Sequence, residues 1–410
     1  MAAASAWRID ATQAATLVNN CIFGTDTVTF WRWLLEGNYL GLGVHKHTLS
    51  VILTAVIAHP LVWLGMSNAT AVALGMAAVW GGVAAVSFVY FRQAGLTKWA
   101  SLAFTVLAMS AFGTATHSGI AETYGATLLM IGVAVLLLPV IAQIAERYMI
   151  ASATMAGGIG AGLALANAPS IAFLLIYYAC LAPVWKRGKA GKLVFVAVAI
   201  PFAMVSLAVI SPAIAAEGLA GTSWHNDYLG RYSDLANFTD AATIKDYLAS
   251  AFVFSFVAPL DYLQCRYVAS ELAGMISRPF ALMAYLTTVS LVATGIFRAL
   301  KGSRRPEALG LLGAVASILL FYLYFNPDEA LLYSPQWLAA LFFAAAPSFR
   351  GAAIWAGVGA TLCLSVNIAP LHHPRTSNPE ACCPNPPASM LPREYPSALE
   401  KFRADNEMPR

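Results

Sequence analysis

The chain has 410 residues, of which 59% are hydrophobic and 11% are charged, and its formal net charge is +4. Soluble domains carry about 25% charged residues, so this composition excludes an ordinary soluble globular protein and indicates a polytopic membrane protein. The net charge is too small to favour nucleic acid as a partner, and we expect membrane lipids instead.

The N-terminal segment, residues 1–47, is predicted to be an outer-face segment that contains an acidic loop. Residues 1–20 carry Arg8 and Asp10 and lack the basic start and continuous apolar core of a cleavable signal. Residues 48–66 are apolar but contain His59-Pro60. These two residues interrupt the apolar run, and we predict that the stretch forms a juxtamembrane or re-entrant element.

Residues 48–369 form the predicted transmembrane domain, because apolar runs of about 17–25 residues are long enough to cross a bilayer. With the N-terminal elements, this predicts an all-α polytopic protein with about ten to twelve helices. The predicted spans are 71–91, 99–116, 123–143, 149–166, 170–185, 193–213, 279–297, 307–325, 332–349 and 351–368.

A long polar loop, 214–278, interrupts this domain. Its apolar island Tyr247–Leu260 is too short to cross a membrane, and we expect it to lie in the interface or to re-enter. Residues 370–410 are rich in Pro, Asn and charge, which predicts a poorly ordered polar tail.

The connecting loops predict the orientation. Loops rich in Lys and Arg alternate with loops that contain neither, T-H-S-G-I-A-E, A-N-A-P-S and N-P-D-E. By the positive-inside rule the basic loops are cytoplasmic. Most acids, together with five of the seven histidines, then fall on the outer face. The positive-inside bias is by itself enough to place any single acid on the outer face. It explains less well why histidines and aromatic residues gather there too.

The predicted spans carry no Lys, Arg, Asp or Glu in their middle. Ion-coupled transporters and proton relays normally need such intramembrane groups. The pattern therefore favours an enzyme whose site opens at the outer interface over a transporter.

Several loop motifs resemble the GT-C superfamily of membrane glycosyltransferases that use polyprenyl-phosphate sugars, including the protein O-mannosyltransferase and aminoarabinose transferase type. F-G-T-D-T, which contains Asp26, resembles the acidic motif of the first outer loop, and H-K-H-T-L-S-V-I-L-T-A-V-I-A-H-P resembles the following juxtamembrane helix. H-S-G-I-A-E-T-Y is similar to the A-E-x-Y element, and F-N-P-D-E-A-L-L-Y-S-P-Q-W resembles a late outer loop. The chain departs from the family pattern in two ways, since no convincing helix precedes the acidic loop and Asp26 has no adjacent acid.

The resemblance implies that Asp26 is the general base and that transfer inverts the anomeric centre by direct displacement. The phosphate is already a competent leaving group, so the site needs a base and a positive charge near the phosphate. Asp26 is equally suited to cap a helix that starts at Thr27. Glu36, ten residues later, would lie near the same face of such a helix.

The other candidates for substrate binding come from outer loops. Arg231 and Lys46 are candidates for the phosphate, although each is equally explained as a surface charge. His45 and His47 point to different faces of a helix, so we assign no metal site, while a divalent cation stays open as a cofactor. Acids near a helix start are also explained by the helix dipole. The remaining candidates are His117, Glu122, Tyr124, Asp328 and Glu329.

We therefore expect a GT-C-like transferase, in a bacterial inner membrane, that moves a sugar to a glycan, lipid or protein acceptor at the periplasmic face. The alternatives are a transporter or flippase of a lipid-linked envelope precursor, and a non-catalytic scaffold. The six cysteines contain no C-x-x-C pair and are assigned no disulfide.

Overall fold

The computed structural model describes residues 48–118, 123–145, 147–181, 200, 233–258, 272–346, 349 and 351–372. Within these ranges the chain forms helices and no strand, which confirms the predicted all-α class. The acidic loop with Asp26, the predicted span 193–213 apart from residue 200, and the tail from residue 373 lie outside the described residues.

Thirteen α-helices are formed by the described residues. They are α1 Thr48–Trp63, α2 Asn68–Gln93, α3 Lys98–Ser110, α4 Phe112–His117, α5 Tyr124–Ile144, α6 Met149–Ala166, α7 Tyr178–Leu181, α8 Ala241–Ala249, α9 Leu272–Ile276, α10 Pro279–Lys301, α11 Arg305–Phe325, α12 Ala330–Ala345 and α13 Ala352–His372. Short 3₁₀ segments occur at Ala168–Ile171, Leu235–Phe238 and Pro327–Glu329, and π segments at Phe173–Tyr177 and Ser250–Phe254.

Five of the described helices, α2, α5, α6, α10 and α11, are long and apolar enough to cross a membrane. The shorter helices α1, α12 and α13 are also apolar. This supports an integral membrane protein. The predicted span 170–185 is instead a succession of 3₁₀, π and α turns as far as Leu181.

His59-Pro60 interrupts the apolar sequence but not the helix, because α1 continues through Pro60 to Trp63. Gly65, at a φ of +90° that favours glycine, turns the chain, and the Ser67 hydroxyl accepts the Thr70 amide to cap α2. The two helices then pack so closely that a Cβ on Gly75 would lie 2.8 Å from the Thr54 carbonyl oxygen.

The predicted span 99–116 is interrupted at Ala111, where the backbone turns to an extended ψ of 140°. Such a break frees backbone groups that must be paired when they are buried. The Phe112 and Gly113 amides donate to the Phe256 and Ser255 carbonyls at 3.1 and 2.8 Å. The apolar island therefore packs inside the helical bundle, with Val257 fully buried.

Basic loops meet at one end of the bundle, which we call the basic end. There the Arg304 guanidinium donates to the Glu307 carboxylate at 2.7 Å, to the Tyr90 hydroxyl at 2.5 Å and to the Phe343 carbonyl at 3.1 Å. The Tyr177 hydroxyl lies 3.4 Å from the same carboxylate. This network joins the end of α2, the π segment, the start of α11 and the end of α12.

Candidate functional site

We call the end of the bundle opposite the basic end the aromatic end. Helix α4 ends there at His117, α5 begins at Tyr124, and α11 leads through Pro327–Glu329 into α12. Since α12 runs from here to the basic end, the two ends are separated by its full length. Three predicted site residues, His117, Tyr124 and Glu329, lie at the aromatic end.

His117 is buried, with 1% of its surface exposed. Its Nδ1 lies 2.6 Å from the Gly113 carbonyl oxygen, which can only accept, so Nδ1 carries the proton and Nε2 keeps its lone pair. Among the described residues Nε2 has no hydrogen-bond partner. Burial lowers the pKa of His117 to about 4, so the ring is neutral near pH 7.

Tyr124 links His117 to α12. Its ring meets the His117 ring edge to face, with centroids 4.9 Å apart. Tyr124 also lies close enough to Tyr333 for their phenol groups to interact electrostatically. The Tyr333 hydroxyl in turn donates to the Glu329 carboxylate one helical turn earlier. The structure thus brings together three predicted residues that come from two separate loops.

A buried polar cluster that the sequence did not predict lies beneath these residues. The Tyr322 ring stacks on the Tyr333 ring, with centroids 3.7 Å apart and planes at 12°. The Gln336 amide donates to the Tyr322 hydroxyl at 2.9 Å, and this hydroxyl donates to the Asn167 side chain at 3.3 Å. The Ser170 hydroxyl donates to Gln336 at 3.2 Å. Each of these side chains is buried and hydrogen-bonded, which is how polar groups are tolerated in an apolar interior.

One signal for this cluster was present in the sequence. Tyr333 and Gln336 stand four and seven residues after Glu329 in the motif F-N-P-D-E-A-L-L-Y-S-P-Q-W, a spacing that places all three on one face of a helix. Tyr322 and Asn167 carry no comparable signal, because single uncharged polar residues within apolar runs are common.

A small cavity adjoins the aromatic end between α1, α2 and α5. It has a volume of about 10 Å³, roughly the room of one water molecule. Ser50, Thr54, Trp80 and Gly125 are among its lining residues. The Trp80 indole nitrogen is buried and has no partner among the described residues, while the Ser50 hydroxyl donates to the Thr123 carbonyl at 2.9 Å. A water molecule here would have hydroxyl and indole partners.

The other predicted site residues are not tested by the structure. Asp26, Glu36, His45, Lys46, His47, Glu122 and Arg231 lie outside the described residues, as does the side chain of Asp328. The part of the chain that the structure describes contains no group of three His, Cys, Asp or Glu residues suited to a metal. The general base, the phosphate-binding residues and the possible divalent cation therefore stay predictions.

Comparison with models of protein families, with characterised proteins and with solved structures finds no match to this chain.

Proposed function

We propose that the protein is a membrane glycosyltransferase that moves a sugar from a polyprenyl-phosphate carrier to an acceptor hydroxyl at the outer, periplasmic face. In this proposal the aromatic end faces outward and the basic end faces the cytoplasm. Asp26 is the general base, and Lys46 and Arg231 bind the phosphate. The resemblance to the GT-C superfamily is the source of the Asp26 role, and the positive charges of Lys46 and Arg231 are the reason for the phosphate roles.

The observation that carries the proposal is the convergence of His117, Tyr124 and Glu329. The sequence motifs selected them from two loops. The His117 ring packs on Tyr124, Tyr333 donates to Glu329, and Tyr124 and Tyr333 lie within electrostatic range of each other. Aromatic surfaces with a few convergent polar groups are typical of small-molecule sites. The Glu329 carboxylate and the neutral His117 imidazole can both accept hydrogen bonds. A sugar ring carries several hydroxyl groups that donate such bonds.

His117 has a defined role within this proposal. Because Nδ1–H is held by the Gly113 carbonyl, Nε2 is the ring nitrogen whose lone pair is unused among the described residues, and it is buried. It would accept a hydrogen bond from a sugar hydroxyl and orient it. A pKa of about 4 makes this imidazole a weak base, so it suits binding better than proton abstraction, which we assign to Asp26.

The decisive experiment compares Asp26→Asn with the wild-type protein. The full chain, reconstituted in nanodiscs, is incubated with polyprenyl-phosphate sugars labelled in the sugar, and release of label from the lipid is measured. Asn caps a helix about as well as Asp, so the substitution preserves a cap and removes a base. We expect release to fall by about 10²–10⁴-fold.

Asp240→Asn is the matched control. Asp240 caps α8, where its carboxylate accepts the Ala242 and Thr243 amides at 3.1 and 3.3 Å, and it is exposed. This variant should keep wild-type activity. Full activity in Asp26→Asn would refute the base assignment, and no release from any donor by the wild-type protein would refute the transferase.

A transporter or flippase of a lipid-linked precursor is the second candidate, and one observation favours it. The cluster of Asn167, Tyr322 and Gln336 places polar groups inside the bundle, although the predicted spans carry no Lys, Arg, Asp or Glu in their middle. This candidate predicts that a fluorescent lipid-linked sugar crosses the bilayer of proteoliposomes without cleavage of the sugar-phosphate bond. Transfer of the sugar without such movement would exclude it.

A further inference from the structure

An open groove runs between α3 and α13 on the surface of the bundle. It has a volume of about 450 Å³ and an almost entirely apolar lining. Trp99, Leu102, Val106, Ile354, Gly357 and Leu364 are among its lining residues. Trp99 and Ile354 are 70% and 76% exposed, so these side chains border the groove without filling it. A Cβ built on Gly357 would meet nothing within 4 Å, so the space above it is open.

The two helices that form the groove run in parallel from the basic end. The Asn367 amide of α13 donates to the Ser110 carbonyl at the end of α3, at 2.9 Å. The first residues of the two helices, from Lys98 and from Ala352, accordingly lie at the other end. The groove therefore extends from the basic end along the apolar body of the bundle.

Lys98 places a positive charge at the start of this groove. It is exposed, is the first residue of α3, and stands four residues before Leu102, which lines the groove. Residues four apart lie on the same side of a helix, so Lys98 stands on the side of α3 that carries Leu102, at the edge of the groove. A ligand matched to these features has a long apolar chain and an anionic head.

We propose that this groove binds an anionic phospholipid of the leaflet at the basic end, with an acyl chain between α3 and α13 and the phosphate at Lys98. Lys and Arg near a membrane surface attract anionic headgroups, and their long side chains reach the headgroup region. A second copy of the protein is a poorer occupant, since a two-fold contact through this groove would bring two Lys98 charges together. The proposal requires a membrane protein but does not depend on transferase activity.

Native mass spectrometry of the full chain with added phospholipid tests this site. Phosphatidylglycerol and phosphatidylcholine are compared at equal concentration, because they carry similar chains and differ in net charge. We expect preferential retention of phosphatidylglycerol. Lys98→Gln should weaken that retention about fivefold, the effect of one basic residue near an anionic surface, and leave phosphatidylcholine unchanged. Gly357→Leu should reduce retention of both lipids, since the new side chain occupies the groove.

Arg298→Gln is the matched control. Arg298 lies at the same end, but its guanidinium stands over the Phe349 ring at 5.0 Å, and it should not affect retention. Equal retention of the two lipids by the wild-type protein, or an unchanged preference in Lys98→Gln, would overturn the proposal. A dimer that Gly357→Leu dissociates would also overturn it and would identify a second copy as the occupant. Lys98→Gln changes an exposed side chain, so its result stands even if Gly357→Leu fails to fold.

Discussion

The side-chain amide of Asn367 donates one hydrogen bond to the Ser110 carbonyl and another to the Phe256 carbonyl, each at 2.9 Å. Its oxygen accepts the Ala258 amide at the same distance. One buried side chain on α13 thus pairs three backbone groups where α3 ends and the apolar island enters the bundle. These contacts join segments that are more than 100 residues apart in the sequence.

Asn367→Ala is expected to destabilise the protein strongly. The substitution leaves two carbonyls and one amide without this partner in a buried site, and each unpaired group costs about 1–3 kcal/mol. We expect a loss of at least about 3 kcal/mol in the free energy of unfolding, measured by denaturant titration in detergent. Ser365→Ala, an exposed change on the same helix, is the control and should have little effect. Equal stability of the two variants would show that the three hydrogen bonds are dispensable.

Glu307→Ala is expected to weaken the network at the basic end. Arg304 and Glu307 are 19% and 18% exposed, so their ion pair is partly shielded from water, and the carboxylate also accepts from Tyr90 and Tyr177. We expect the free energy of unfolding to fall by about 1–3 kcal/mol. This lies between the cost of breaking an exposed ion pair and that of breaking a buried one.

The control for this prediction is the pair of Lys245 and Asp246, 3.6 Å apart, whose side chains are 65% and 34% exposed. Lys245→Ala should change the melting temperature by less than Glu307→Ala does, because a pair with a largely exposed lysine contributes little. A double-mutant cycle with Tyr177→Phe should also show coupling between Tyr177 and Glu307. Strict additivity would mean that their contact contributes no stability.

The buried His117 predicts a dependence of stability on pH. Its pKa is lowered from 6.5 to about 4 in the folded protein, so the unfolded chain binds the proton first as the pH falls. The contribution of His117 to stability is therefore present above pH 6.5 and is lost between pH 6.5 and about 4. The full effect is at most about 3 kcal/mol.

The measurement compares melting temperatures between pH 7 and pH 4 for the wild-type protein and His117→Asn. The side-chain amide of Asn can replace Nδ1 as the donor to the Gly113 carbonyl. Unlike histidine, it does not gain a proton between pH 7 and pH 4. We expect the variant to lose less stability than the wild type as the pH falls across this window. The same slope in both proteins would show that His117 titrates normally.

Tyr333→Phe tests the proposed site. The substitution keeps the ring that stacks on Tyr322 but removes the hydroxyl that binds Glu329, so it should preserve folding and reduce turnover. We expect sugar release to fall by about tenfold, the loss of roughly one hydrogen bond's free energy. Tyr324→Phe is the control, because it removes a hydroxyl from an exposed residue of α11. This variant should retain activity. Wild-type activity in Tyr333→Phe would remove the link between Glu329 and the proposed site.

The sequence was sufficient for most of the long helices. The predicted spans 71–91, 123–143, 149–166, 279–297 and 307–325 correspond to α2, α5, α6, α10 and α11, with ends that differ by no more than four residues. Apolar length and the charged or Gly and Pro residues at the ends are local properties, so they can be seen without the fold. The loop motifs likewise selected His117, Tyr124 and Glu329.

Only the tertiary structure decided how the backbone is paired where helices break and which polar side chains meet. The break at Ala111 is stable because the Ser255 and Phe256 carbonyls accept the Gly113 and Phe112 amides that the break frees, and Asn367 completes the junction. The stack of Tyr322 on Tyr333 depends in the same way on the packing of α11 against α12. Hydrogen bonds and ring contacts between distant segments leave no periodic trace in either segment. The sequence therefore determined a bundle of apolar helices with polar loops, and tertiary packing determined which of its polar groups are brought together.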